Sequence, residues 1–297
     1  MTCRNTPVAV KFSDDHAGIL DVVSTQPPFR RRRLGRKLAR MRADARLTLD
    51  GAAEALFKTK SALHRIEKGE ALVDPHLVKS MMDLYEHYDP DIVLEALRAR
   101  ERGWWTALGV EDQGYIDIET EAAEVRDVSL LLIPGLLQTA DYTRALCAAR
   151  PFPGDREQDE RNVRARQVRQ QRLTDPDHLL KLEAIVDEAA LRKGLGGREV
   201  MRAQLEHLLE VAELPNVSFR VLAHECGAHA AMGGGFALLS FPDPADPPVL
   251  YVEHPFGALH LEDEGVTIEA RLAFEHLTTQ ALGLDESVAL VQRLLTE

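Results

Sequence analysis

The side chains best suited to polar recognition lie between residues 30 and 70. Lys58-Thr59-Lys60-Ser61 is followed, after two apolar residues, by His64 and Arg65. Lysine and arginine donate hydrogen bonds to the O6 and N7 acceptors of guanine, and a serine hydroxyl can bond to base edges or to phosphate. These residue types suit recognition of a nucleic acid if one helix presents them together.

A second cationic segment precedes them. Arginines run from 30 to 33, and Arg36 and Lys37 continue the run. Such a segment can follow the phosphate backbone or enter a minor groove, and the sequence leaves both alternatives open. Lys60, Ser61, His64 and Arg65 are therefore predicted to contact bases, with Thr59 beside them. The predicted contacts to the DNA phosphates are made by Lys58, Arg30, Arg31, Arg32, Arg33, Arg36 and Lys37.

Helix signals indicate how these residues are positioned. Leu34, Leu38 and Met41 form one apolar stripe on a first helix. Thr48 and Thr59 can each cap a further helix by accepting from unpaired amides of its first turn. Leu63 and Ile66 are spaced to pack inward, and Gly69 can end the third helix. This arrangement predicts a helix-turn-helix whose third helix turns its polar face outward.

The pattern resembles a known family. From about Leu34 to Tyr88 the chain resembles the Xre-family, lambda-repressor-like DNA-binding domain of five short helices. The resemblance implies that Lys60, Ser61 and Arg65 read bases, with His64 beside them. Phe57 stands where the family usually has Gly, and Leu49 replaces a common Gln. The matching positions are Ala53, Leu56, Thr59, Ser61, Leu63, Ile66, Glu67 and Gly69.

A plainer alternative is a helical hairpin with a solvated basic face. We favour DNA binding because the basic lead, the capped helices and the third-helix pattern agree. Glu67 does not fit a DNA contact, since a carboxylate repels phosphate. We expect it to pair with a first-helix arginine such as Arg40 or Arg42.

Length and charge indicate two domains. The 297 residues carry a net charge of −12, yet residues 30–70 contain 13 basic and 5 acidic residues, a balance of +8. The remainder carries −20 and should be repelled by phosphate. We predict a disordered arm (1–29), a DNA-binding domain (30–88), a helical connector (89–125) and an effector, partner-binding and dimerisation domain (126–297).

The composition also bears on location. The three cysteines are few and far apart, so no disulfide framework is expected. We expect no signal peptide and no membrane span, and hence a cytoplasmic, nucleoid-associated protein. No cofactor or metal is expected.

The second half of the chain mixes strand and helix signals. Strands are predicted at 182–186, 217–222, 236–241, 249–252 and 258–261, and helices at 119–128, 140–149, 159–173, 198–213, 264–283 and 285–295. Runs of strands followed by helices indicate an α+β domain, which we predict to have an antiparallel sheet. The whole chain is thus mainly α with an α+β C-terminal domain. The Arg-rich helix at 161–172 fits an interface or a solvent face better than a second DNA contact.

A second resemblance covers about Gly103 to Glu297. The strings IPGLLQTADYTRAL and GGGFALLSF, with Trp104-Trp105 before them and Tyr251-Val252-Glu253 after them, resemble the C-terminal domain of WhiJ-like regulators of high-GC Gram-positive bacteria. The resemblance implies a transcriptional regulator that acts with a small partner protein encoded nearby and is likened to an antitoxin. It implies no ligand residues.

Two places in this domain could bind a ligand. Trp105, Gln138, Tyr142 and Gly234 are predicted to form a sensing surface. For Trp104-Trp105 we favour interdomain core, with a stacking wall for a ligand as the alternative. His224, Cys226 and His229 hold potential metal donors, but they lack the spacing that places two imidazoles on one helical face. We interpret that segment as a loop whose role stays open.

The sequence therefore favours a DNA-binding transcriptional regulator that is not an enzyme. It binds double-stranded operator DNA, and a dimer is expected because one small head reads too few base pairs. The C-terminal domain would sense a small molecule or bind a partner protein. The alternatives are an antitoxin-like module with an autoregulatory head, or a metal- or nucleotide-dependent hydrolase domain.

Overall fold

A computed structural model describes residues 27–110, 114–150, 155–254 and 257–297. The first part of the chain, here called the head, contains five helices. They are α1 (Phe29–Asp44), α2 (Leu49–Ala55), α3 (Lys60–Glu67), α4 (Pro75–Leu84) and α5 (Pro90–Arg98).

Local capping explains where the head helices begin. The Thr48 hydroxyl accepts from the Gly51 amide and the Thr59 hydroxyl from the Ala62 amide, both at 3.1 Å. Asp74 and Asp89 cap α4 and α5, each followed by a proline at the first helical position. The predicted caps of α2 and α3 are confirmed.

One buried apolar cluster joins all five helices. It includes Leu38 of α1, Leu63 of α3 and Met81 of α4. Ile92 and Ala96 of α5 belong to the same cluster. The placement of this helix in a connector beginning at 89 was wrong, because α5 buries its apolar stripe against the head.

The rest of the chain, here called the body, surrounds a six-stranded sheet. Its strands are β1 (Glu124–Ser129), β2 (Lys181–Asp187), β3 (Val217–Leu222), β4 (Phe236–Ser240), β5 (Val249–His254) and β6 (Gly257–Leu261). Its helices are α6 (Tyr115–Glu121), α7 (Ala140–Ala148), α8 (Arg156–Gln171), α9 (Glu188–Arg192), α10 (Arg198–Ala212), α11 (Glu264–Gln280) and α12 (Leu284–Thr296). Short 3-10 helices lie at Trp104–Leu108, Gly135–Leu137 and His224–Cys226.

The sheet is mixed, with the strand order β3-β2-β1-β4-β5-β6. β1, β2 and β3 are parallel neighbours, whereas β4, β5 and β6 are antiparallel. The expectation of an antiparallel sheet was therefore wrong for half of it. The connections explain this, because α7 with α8, and α9 with α10, supply the long crossovers that parallel neighbours require.

The position of β1 contradicts one helix that was predicted from the sequence. Residues 119–128 were predicted to be helical, yet α6 ends at Glu121 and β1 begins at Glu124. Val125 and Val128 are three residues apart, a spacing that a helix would place on one face. In the strand they face opposite sides of the sheet, and each joins a different buried cluster.

Candidate nucleic-acid interface

The turn between α2 and α3 is formed by Phe57. Its φ of 54° is left-handed, which explains why glycine is common at this position in the family that the head resembles. The Phe57 side chain is 96% exposed and so packs against almost nothing. A non-glycine residue therefore makes the same turn at some conformational cost.

α3 has one buried and one exposed face. Leu63 and Ile66 are buried in the head cluster. The predicted base-reading residues Lys60, Ser61, His64 and Arg65, together with the flanking Lys58 and Thr59, are all exposed. The structure thus brings these six predicted residues together on one accessible surface, here called the α3 face.

Two ion pairs lie on or beside this surface. Lys60 Nζ is 2.8 Å from Asp50 Oδ2 of α2, and Arg65 Nε is 3.9 Å from Glu70 Oε2. All four side chains are more than half exposed, so each pair contributes about 0–1 kcal/mol. Neither pair would strongly oppose a new partner for the cation.

The other side of α3 is held tightly by α1. A Cβ at Gly35 would lie 2.5 Å from the Glu67 carbonyl oxygen, and one at Gly69 would lie 2.6 Å from the Arg32 backbone nitrogen. Arg42 also donates two hydrogen bonds, of 2.6 and 2.8 Å, to the Glu67 carboxylate. The predicted pairing of Glu67 with a first-helix arginine is confirmed, and it fixes the orientation of α3.

The basic segment at 30–37 is in a different environment. It lies within α1 and is not an extended arm. Its six cations, here called the α1 face, are those of residues 30–33, 36 and 37. All of them except Arg31 form ion pairs with carboxylates. The ion pairs include Arg30–Glu121 (2.6 Å), Arg32–Glu262 (2.8 Å), Arg33–Asp246, Arg36–Glu262, Lys37–Glu95 (2.7 Å) and Lys37–Asp243 (3.2 Å).

Most of these partners belong to the body. Glu121 ends α6, while Asp243 and Asp246 lie in the loop between β4 and β5 and Glu262 lies between β6 and α11. The Asp246 side chain is only 2% exposed, so its pair with Arg33 is buried. Phosphate contacts by these α1 cations stay a prediction, and they would require the ion pairs to be exchanged for DNA. Arg31 differs, since it donates to the Ala99 carbonyl within the head at 3.3 Å.

An apolar contact anchors the same junction. Phe29, assigned in the sequence to a disordered arm, is the first residue of α1 and is fully buried in the body's core. Its ring stacks on Phe241 with 4.5 Å between centroids, and the Arg32 and Arg36 guanidiniums lie 5.6 and 5.7 Å from its centroid. The Phe29 amide also donates to Asp117 of α6. Residues 1–26 of the predicted arm lie outside the described residues.

Burial and pairing shift the titration of groups at the junction. Burial lowers the pKa of Lys37, but hydrogen bonds to Glu95 and Asp243 outweigh it and hold the pKa above its usual value. The Ala245 amide, and then Lys37, hold the pKa of Asp243 below 3.8. Both shifts favour the charged forms, and the Lys37–Asp243 contact between head and body contributes to each of them.

The predicted sensing surface is not a surface. Tyr142 is fully buried, and its hydroxyl accepts from the Ile133 amide at 3.2 Å. Gln138 is also buried and donates to the Ile133 carbonyl at 2.6 Å. Trp105 packs in a separate cluster, and Gly234 has open space around its Cα. The structure does not bring these four residues together, because two of them fill the body's core.

The histidine loop has its own partners. His229 Nε2 is 3.7 Å from Asp187 Oδ2, and His224 Nδ1 is 3.9 Å from Glu188 Oε1. Within the described ranges, no three His, Cys, Asp or Glu side chains are grouped as metal ligands would be. In the same ranges, no helix combines the length and apolar content of a membrane span.

Sequence reasoning missed the body residues that hold α1. Asp243, Asp246 and Glu262 lie in acidic turns of a kind that is usually solvated, and nothing local marks them as partners of α1. The available signal was the charge division itself, since a head of +8 and a remainder of −20 attract each other.

The head, with its capped helix pair and exposed polar α3 face, has the architecture of a helix-turn-helix DNA-binding domain. Residues 33–97 match a family described as Helix-turn-helix domain. Such a domain points to a regulator rather than an enzyme.

The body defines the family. Residues 113–293, more than half of the chain, match the family described as Domain of unknown function (DUF5753), and the chain belongs to that family. No curated protein and no solved structure matches the chain.

Proposed function

We propose that this chain is a sequence-specific transcriptional regulator that reads duplex DNA with the α3 face. The supporting observation is the division of α3 into a buried apolar side and an exposed side with Lys60, Ser61, His64 and Arg65. Arg65 can bond guanine O6 and N7 with two donors, and Lys60 and Ser61 lie one turn earlier on the same helix. Lys58 and Thr59 lie where the helix begins and would bind phosphate.

The body is proposed to control the head. The α1 face is docked on the body through ion pairs, so the position of α3 depends on the body through α1. A small effector or partner protein would change DNA affinity if it binds the DNA-competent and the DNA-incompetent arrangements of head and body with different affinities. The resemblance to WhiJ-like, antitoxin-like regulators favours such a partner. A homodimer is favoured because two heads on a palindromic site would read more base pairs than one head alone.

The test is a DNA selection with the purified full chain at stated salt, followed by affinity measurements on the selected site. We expect Arg65→Ala to lose roughly 1–3 kcal/mol of discrimination at one base position. Lys58→Ala should instead weaken binding to all sequences by a similar factor. Lys79→Ala is the matched control, because Lys79 is exposed on α4 of the same head.

Two results would contradict the proposal. One is an Arg65→Ala variant that weakens selected and random duplexes equally. The other is a wild-type chain that selects no sequence at low salt.

A further inference from the structure

One face of α8 is turned toward the body rather than toward solvent. Arg166, Arg169 and Gln170 share this face at helical spacing. Arg169 donates two hydrogen bonds of 2.6 Å to the Glu119 carboxylate of α6. Gln170 donates to the Gly135 and Gln138 carbonyl oxygens at 3.1 and 2.6 Å. The Arg-rich helix is therefore an internal interface on this side.

Arg166 is partnered differently from Arg169. It donates to Gln138 Oε1, an amide oxygen that also accepts from Thr143 at 3.2 Å. In the described part of the chain, no carboxylate forms an ion pair with Arg166. Burial lowers its pKa to about 10, and the nearby charge of Arg169 acts in the same direction. The more distant charge of Glu253 acts in the opposite direction but does not outweigh burial. A largely buried guanidinium without a carboxylate in ion-pair contact is costly for the protein, and such groups concentrate at functional sites.

The sheet opposite α8 carries a polar row. The pairing of β1 with β4, of β4 with β5 and of β5 with β6 places Asp127, Ala237, Tyr251 and His260 side by side on one face. On the other side of Asp127 the register places Ala184. Small, buried alanine side chains thus flank the Asp127 carboxyl group on both sides.

Aromatic and acidic side chains border this part of the sheet. Tyr115 of α6 lies 4.6 Å from the Tyr251 ring, and the Arg169 guanidinium lies 5.1 Å from the Tyr115 ring. Glu253 follows Tyr251 on the same strand face, is exposed, and interacts electrostatically with both Asp127 and Arg166. Burial, opposed by the Ser129 hydroxyl, raises the pKa of Asp127 to about 6. Asp127, Tyr115 and Arg166 all remain partly accessible to solvent.

We propose that Arg166 is the anion-binding residue of a small-molecule site between α8 and this row of the sheet. The ligand carries a carboxylate or phosphate group, which takes the unpaired donors of the guanidinium. Asp127 and Tyr115 lie on the sheet side, where they bind a hydroxyl or ammonium group of the same molecule. This site would bind the small effector of the proposed function, on which the assignment rests, and anion binding can be tested without DNA.

The site also has a physical connection to the head. Tyr115 and Glu119 face it from α6, whereas Asp117 and Glu121 of the same helix bind the Phe29 amide and Arg30. A ligand that shifts α6 would therefore shift the contacts that hold α1.

The experiment measures binding of inorganic phosphate and, separately, of acetate to the full chain. Titration calorimetry and thermal unfolding are run against sodium chloride at equal ionic strength. We expect at least one anion to bind and raise the unfolding temperature, and Arg166→Gln to weaken that binding at least ten-fold. Arg164→Gln, which removes an exposed arginine two residues away, should bind like the wild type. Preference for phosphate or acetate indicates the anionic group of the natural ligand.

Unfolding temperatures measured in sodium chloride alone distinguish a ligand-binding role of Arg166 from a structural role. If Arg166 is kept for a ligand, Arg166→Gln should unfold at the same temperature as the wild type or higher, since an unpaired buried charge is removed. Glu119→Gln, which removes the carboxylate charge that pairs with Arg169, should unfold at a lower temperature. The proposal is overturned if neither anion binds, if Arg164→Gln loses binding equally, or if Arg166→Gln is destabilised as much as Glu119→Gln.

Discussion

The α1 face and the α3 face are both rich in cations at helical spacing, yet they have different partners. Lys60, His64 and Arg65 of α3 are exposed, and the ion pairs beside them are solvated. Arg33 and Arg36 of α1 lie against Asp246 and Glu262 of the body. A basic run in a sequence therefore shows that a counter-charge is needed, and only the fold shows whether the chain supplies it.

The largest expected effect comes from removing the apolar anchor of the α1 face. Phe29→Ala deletes a fully buried ring that stacks on Phe241, which should cost about 3–5 kcal/mol of unfolding free energy. Chemical denaturation measures the loss, and limited proteolysis between head and body should become faster.

The matched control is Phe57→Ala, the same substitution at the exposed turn before α3. Its effect on unfolding should stay within about 0.5 kcal/mol. Equal effects of the two substitutions would show that Phe29 does not hold the head.

The next largest expected effect, on the salt dependence of DNA affinity, tests whether the α1 cations can bind phosphate. Glu262→Gln removes the carboxylate shared by Arg32 and Arg36. If these arginines then contact DNA, the slope of log affinity against log salt should steepen by up to about 2, since each phosphate contact contributes about 0.9. Binding to random duplex should tighten at low salt.

Glu264→Gln, in the exposed first turn of α11, is the control and should leave the slope unchanged. An unchanged slope in Glu262→Gln would assign the α1 face to docking alone and leave DNA contact to α3.

The smallest expected effect is on the pH dependence of the unfolding free energy. The lowered pKa of Asp243, caused first by the Ala245 amide and then by Lys37, means that its charged form stabilises the folded chain at pH values above 3.8, and this contribution is lost as the pH falls below 3.8. Because Asp243 is partly exposed, we expect no more than about 0.5 kcal/mol. Asp243→Asn should reduce the acid dependence of unfolding, and Asp50→Asn, beside the α3 face, is the comparison variant. A wild-type dependence retained in Asp243→Asn would contradict this assignment.

Local signals were sufficient to predict α2 and α3. Thr48, Thr59 and Gly69 act through atoms only a few residues away, so their positions in the sequence fix the helix ends. Glu67 was also predictable, because a buried carboxylate between cationic helices needs a basic partner. The exposed α3 face followed from these helix ends and the apolar stripe.

Non-local contacts could not be predicted. Tyr142 and Gln138 look like binding residues in the sequence, and only the packing of α7 and α8 shows that their polar atoms bond to the backbone and to Arg166. The parallel strands are a matter of topology that an alternating pattern does not encode. Phe29 follows two prolines, and nothing in its neighbourhood indicates that Phe241 completes its packing.

The docking of α1 also limits which operators two associated chains could share. Phe29, Arg30 and Arg33 join the head directly to α6 and the sheet, so the head is not suspended on a free linker. In a dimer held through the body, the distance between the two α3 helices would then be set by the protein. Such a pair would accept one spacing between half-sites, and inserting a few base pairs at the centre of the operator would rotate one half-site away from its reader.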